Sequence, residues 1–303
     1  MGGEAKNKDQ AENLRNLVNN GQKAAGERRA SRVITVTSGK GGVGKSNTAI
    51  NLAVQFRKLG KRVIILDADL GLANIEVMFG TVPKYSLYDM IKNGKDITEV
   101  ITPGPLDISF ISGGSGIADM ANLSRRELEI IIQNLSRLDT MADVLIIDTG
   151  AGISDTVMEF LLSSSEVLLI TTPEPASITD SYSLLKALCR NSHFRKDGTA
   201  IRFIANKVKN DAEGLELFQK LNAVVKKYLE LDISFLGAVP FDTQLEKAVM
   251  QQKPVSIGVP EARSAIAYEN IAAALSGQEP SHDHESRGIT ALFARMIRFG
   301  RSG

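Results

Sequence analysis

The residues with the clearest chemical content form one continuous run, Gly39-Lys40-Gly41-Gly42-Val43-Gly44-Lys45-Ser46, with the spacing G-x-x-x-x-G-K-S. An apolar stretch, RVITVTS (32–38), leads into it, and a stretch of helical character beginning at Asn47 leaves it. Glycines let successive backbone amides turn inward around a phosphate group, and a helix starting there adds the positive end of its dipole. Lys45 supplies a point charge, and the Ser46 hydroxyl suits Mg²⁺. Gly39 to Asn47 are therefore expected to bind the phosphates of a nucleotide. Two carboxylates, Asp67 and Asp69, follow the next apolar run, and Asp148 closes DVLIID (143–148) ahead of Thr149-Gly150-Ala151-Gly152. Ligands of α/β proteins bind at the carboxyl ends of the strands, so these acids should point at the same phosphates. Asp148 in such a place holds Mg²⁺ through water, and the small residues after it let the backbone move beside a terminal phosphate.

Positioning this set requires a sheet covered on both faces. Apolar runs at 32–38, 62–67, 107–112, 143–148, 166–171, 200–206 and 232–239 alternate with segments of helical period such as 46–59, 124–138 and 213–229. Runs that are hydrophobic throughout mark strands buried on both sides, and the intervening helices mark crossover connections. Ser124-Arg125-Arg126-Glu127 opens one helix with a capping box. The expected fold is a single α/β P-loop NTPase domain over 31–275, with a mostly parallel sheet of about seven or eight strands flanked by helices on both faces. A leader (1–30), a polar tether (276–286) and a last helical stretch (287–303) complete the 303 residues.

Lys plus Arg number 36 against 35 Asp plus Glu, which argues against a general field for nucleic acid. The lone cysteine, Cys189, supplies neither a disulfide framework nor a thiolate cluster for zinc or iron–sulfur, and it fits a reducing cytoplasm. No run approaches the roughly 20 apolar residues that span a bilayer.

The order KGGVGKS, with a second lysine heading the loop, resembles the deviant Walker A ATPases of the MinD/ParA family, among them the nitrogenase iron protein and the FlhG (YlxH) flagellar regulators. The resemblance implies a slow, dimerisation-activated ATP hydrolase that takes ATP or ADP with Mg²⁺. It also implies that Lys40 reaches the nucleotide of the partner subunit, that Asp69 orients the attacking water, and that Asp67 helps hold the metal's water shell. Asn206, followed by Lys207, resembles the family's adenine-contacting residue, and Pro240-Phe241-Asp242 its second base-contacting loop. In TTPEPASITDSY (171–182), Glu174 matches an acid that faces the opposite subunit, and Asp180 is a further interface candidate.

The two ends narrow the resemblance. Ile289, Leu292, Phe293, Met296 and Ile297 fall at i, i+3, i+4, i+7 and i+8, while Arg295 and Arg298 supply charge. Such a helix can lie in an anionic membrane surface, each nearby arginine contributing about 1 kcal/mol, or dock on the protein's own core. Both hold if each belongs to a different nucleotide state. The ending resembles the membrane-targeting sequence of MinD-type ATPases. At the other end a short helix is expected over 9–18, and its Asp9, Gln10, Leu14 and Arg15 match the DQAxxLR element of FlhG proteins, which stimulates the signal-recognition-type GTPase FlhF. The implied protein is a cytoplasmic switch ATPase, reversibly attached to the inner face of the cell membrane, that regulates flagellar number and placement. Its implied partners are a second copy of itself, an FlhF-type GTPase, flagellar C-ring proteins and the anionic membrane surface. A MinD-type division-site ATPase and a ParA-type nucleic-acid-binding partition ATPase are the alternatives.

Overall fold

The computed structural model describes residues 31–69, 74–113, 134–277 and 288–299. Eight strands form one sheet: β1 (Arg32–Ser38), β2 (Val63–Ala68), β3 (Thr102–Pro103), β4 (Ser109–Ser112), β5 (Val144–Ala151), β6 (Glu166–Thr171), β7 (Ala200–Val208) and β8 (Ile233–Pro240). Their spatial order is β3-β4-β2-β5-β1-β6-β7-β8. Every pairing is parallel except that of β3 with β4. The seven runs expected as strands are the seven long ones, and the two-residue β3 adds the eighth.

The helices are α1 (Lys45–Lys58), α2 (Asn74–Phe79), α3 (Leu87–Asn93), α4 (Ile97–Val100), α5 (134–141), α6 (Asp155–Ser163), α7 (Pro175–Arg190), α8 (Asp211–Leu229), α9 (Thr243–Met250), α10 (Val255–Gly258), α11 (Arg263–Gly277) and α12 (Ile289–Phe299). Alternate strand residues face opposite sides of the sheet, which explains why the strands are apolar throughout. Ile34, Val36, Ile146 and Leu168 pack with residues of α1 and α11. Val33, Leu145 and Ile147 pack on the other face against α5 and α12, beside a second cluster built from α6, α7 and α8.

At the amino-terminal edge of the sheet, Glu166 is fully buried and receives Arg32 Nε and Nη2 at 2.8 Å each, with Arg202 Nε also at 2.8 Å. Arg32 Nη1 reaches on to the Leu275 carbonyl at 2.5 Å. One charge network thus ties β1, β6, β7 and α11 together. Nearby, Ser31 Oγ donates to the Ala142 carbonyl at 2.6 Å.

Helix α12 docks on the protein's own core. Ile289, Leu292, Phe293 and Met296 are all buried, in one cluster with Leu135, Leu138 and Phe160. Its first turn is capped from far away in sequence: Asp139 accepts Ile289 N at 2.8 Å, Thr290 N at 3.2 Å and Thr290 Oγ1 at 2.7 Å. A carboxylate there satisfies otherwise free amides and complements the helix dipole.

Candidate nucleotide-binding site

Strand β1 lies in the interior of the sheet between β5 and β6, so its carboxyl end opens at the centre of the molecule. The loop that leaves it is fitted against α7. A Cβ added to Gly39 would fall 2.2 Å from the Asp180 carbonyl carbon, a distance only glycine avoids. At the far end Gly44 adopts φ 99°, the left-handed region that favours glycine, and α1 begins at Lys45. The Lys45 side chain is buried, and burial lowers its pKa while Asp148 and Asp69 hold it up. An anion at this loop would meet that ammonium and the amino-terminal end of α1 together.

The carboxylates come from the two strands on one side of β1. Asp148 on β5 stands in register with Asp67 on β2 and with Val36 on β1. It is fully buried, and desolvation pushes its carboxyl up to about 7, with Ser46 opposing the rise and Asp67 adding to it. Neither of its oxygens meets a hydrogen bond of normal geometry among the described residues, although Ser46 lies close enough to act on it. Asp67 accepts Asp69 N and Ile75 N, both at 3.2 Å, yet burial dominates and raises it to about 6. Two buried acids beside a serine hydroxyl, one with orphaned oxygens, fit a hard cation such as Mg²⁺. Ser46, Asp67 and Asp148 would hold such an ion, which would supply positive charge beside a bound phosphate.

Asp69 stands one step out. Its Oδ2 receives Asn74 Nδ2 at 3.4 Å, and a Cβ on Gly150 would lie 3.6 Å from its Oδ1. The carboxylate therefore faces Gly150, in the small-residue carboxyl end of β5.

The expected base-contacting residues have structural attachments. Asn206, 2% exposed, donates from Nδ2 to the Val43 carbonyl at 2.7 Å. Pro240 ends β8, and Phe241 is half exposed, its amide bound to the Val208 carbonyl. Asp242 caps α9 through Gln244 N and accepts Ser264 N and Oγ, so its carboxylate serves the fold.

Lys40 Nζ lies 2.6 Å from Glu174 Oε2. The lysine and acid expected to look toward a second subunit thus pair with each other within one chain, and Lys40 holds the Glu174 carboxyl below its usual range. Asp180 contributes its backbone to the packing against Gly39. Arg295 sits half-buried on α12, whereas the Ile297 and Arg298 side chains lie outside the described residues, as do Asp9, Gln10, Leu14 and Arg15. Sequence reasoning missed Asn74 beside Asp69, Asp139 beneath α12, and the contact of Lys207 Nζ with the Gly42 carbonyl.

The family model for ParA, described as NUBPL iron-transfer P-loop NTPase, matches residues 29–276. The antiactivator FleN of Pseudomonas aeruginosa is 39% identical over 250 residues, 82% of this chain and 88% of that protein. The flagellum site-determining protein YlxH of Helicobacter pylori is 32% identical over 297 residues, 96% and 99% of the two chains. Among solved structures, the cell division ATPase MinD of Pyrococcus furiosus superposes with a TM-score of 0.63 at 24% identity, covering 82% of this chain and 99% of that one, which shows the shared fold. On its phosphate loop, its carboxylates and its kinship with FleN and YlxH, the chain belongs to the ParA/MinD family of P-loop NTPases and is an ATP hydrolase.

Proposed function

We propose that this ATPase is an ATP-driven switch of the FlhG type that regulates flagellar number and placement. In this reading MgATP closes two copies face to face across the phosphate loops, and Lys40 leaves Glu174 for the partner subunit's nucleotide. The C-terminal helix then exchanges its groove for an anionic membrane surface, and slow hydrolysis oriented by Asp69 returns the protein to the monomer. The leader stimulates an FlhF-type GTPase, and flagellar C-ring proteins are the docking partners.

The observation that carries this reading is the seating of α12. The residues that would enter a membrane, Ile289, Leu292, Phe293 and Met296, are the ones buried in the groove, so the helix can satisfy its apolar face in only one place at a time. Identity to FleN and YlxH exceeds the 26% found with the MinD of Bacillus subtilis, which favours the flagellar role over division-site placement.

The test is sedimentation onto anionic liposomes with ADP and with a non-hydrolysable ATP analogue. The intact chain should pellet only with the analogue, and a chain ending at Gln278 should pellet with neither. An intact chain that stays in solution in both states would remove the membrane step. A peptide of residues 1–30 that leaves an FlhF-type GTPase unaffected would remove the flagellar assignment of the leader.

A further inference from the structure

A loop that turns its amides inward around phosphates turns its carbonyls outward, and those carbonyls need donors of their own. Two adjacent residues supply them. Asn206 Nδ2 donates to the Val43 carbonyl at 2.7 Å, and Lys207 Nζ donates to the Gly42 carbonyl at 2.9 Å. Both come from an irregularity in β7, whose register against β8 shifts between Asn206 and Val208. Lys207 takes φ 57°, a left-handed conformation that a lysine adopts only when its surroundings impose it. The corner is fixed by Lys207 N donating to Asn206 Oδ1 at 2.9 Å. The fit is close: a Cβ on Gly44 would fall 2.3 Å from Asn206 Nδ2.

We propose that Asn206 and Lys207 are positioning residues that clamp the phosphate loop in its binding shape. The strand end expected to read the base thereby also governs how the triphosphate is held. Asn206 keeps one amide hydrogen and one lone pair of Oδ1 for a base, so a single side chain joins the two halves of the nucleotide. The inference rests on the chain being a P-loop ATPase and not on any membrane or flagellar role.

Inorganic triphosphate has no base, so its binding separates a clamp from a base reader. Calorimetric titration of the full chain with Mg–triphosphate and with MgATP should show Lys207→Ala weakening both by similar factors, about 5- to 10-fold each. Lys207→Arg keeps donor and charge, and Lys207→Gln keeps a donor alone. Both should retain most of the parental affinity. Asn206→Ala should also weaken both ligands, with the larger loss for MgATP. Because Asn206 is buried and its variant can lose stability, the exposed Lys207 series decides. Parental triphosphate affinity in Lys207→Ala overturns the clamp. So does a Lys207→Gln variant as weak as Lys207→Ala, which would reduce the role to general charge.

Discussion

Replacing Asp139 with alanine should free helix α12 without touching its apolar face. The carboxylate accepts two backbone amides and one hydroxyl at the helix start, and the buried side chains of Ile289, Leu292, Phe293 and Met296 are left unchanged. Loss of an N-cap costs about 0.5–2 kcal/mol. The lost charge at the positive end of the helix dipole adds about 0.3–1 kcal/mol. Taken together at about 2 kcal/mol, the undocked fraction should rise about 30-fold. Hydrogen exchange of the ADP-bound protein reads this directly: amides of 289–299 should exchange about 30-fold faster while those of β1 and β5 stay at parental rates. Asp139→Asn, which keeps an acceptor and loses the charge, should fall between the two. Unchanged exchange in α12 would refute the capping argument, and equal acceleration throughout the sheet would show that Asp139 supports the whole fold instead.

Asp69→Ala should retain MgATP binding and lose most hydrolysis, measured by nucleotide titration beside phosphate release; turnover at the parental rate would exclude it as the water-orienting group. Lys40→Ala should bind nucleotide yet remain monomeric with ATP in analytical ultracentrifugation, and a stable ATP dimer would contradict its assignment. Asp148 and Asp67 titrate near 7 and 6 in the fold, against an ordinary value of 3.8. Between about pH 4 and about pH 7 the folded nucleotide-free protein therefore binds more protons than the unfolded chain, and its stability should fall as pH rises through that window. Asp148→Asn should raise the nucleotide-free Tm at about pH 8 and have little effect at about pH 4, and a pH-independent difference would argue against the titration. Glu166→Ala removes the buried carboxylate shared by Arg32 and Arg202 and should cost about 3–5 kcal/mol in urea unfolding, whereas a loss under about 1 kcal/mol would mean that water replaces the acid.

The sheet was legible because its physics is local. Strands buried on both faces must be apolar along their whole length, and β1 and β6 match the apolar runs at 32–38 and 166–171. The phosphate loop was legible for the same reason, since strand, glycines, lysine and helix adjoin in sequence. What escaped depends on contacts between distant residues. The pair Thr102–Pro103 carries no strand signal and becomes β3 only because Phe110 and Ser109 lie beside it. Helices α3 and α4 were not foreseen: their capping boxes, Ser86 with Asp89 and Asp96 with Glu99, open helices too short to stand out by periodicity. The capping box at 124–127 lies outside the described residues. Periodicity made α12 amphipathic but held nothing about which apolar surface would receive it, and no local pattern marks Asp139 as its cap. The Lys40–Glu174 pair was likewise invisible, because each residue on its own matched a contact between subunits.

The hydrogen bonds at the amino-terminal edge of the sheet divide the molecule into an input pole and an output pole. Ser31 is bound to Ala142, Arg32 to Leu275, and Asp139 to the first turn of α12, so the leader's exit, the end of α11 and the start of α12 meet at one place. Nucleotide belongs at the opposite edge, about 20 Å away along the seven residues of β1. Strand β5 runs the same course, from beside Ala142 to its carboxyl end, where Gly150 faces Asp69. Any influence of ATP on either appendage must travel the length of these rigid rails or pass around them through α6. Conversely, Ser31 and the first turn of α12 share one residue, Asp139, which accepts Ser31 Oγ at its carbonyl and the helix at its carboxylate, so the two are coupled at the edge away from the phosphate loop.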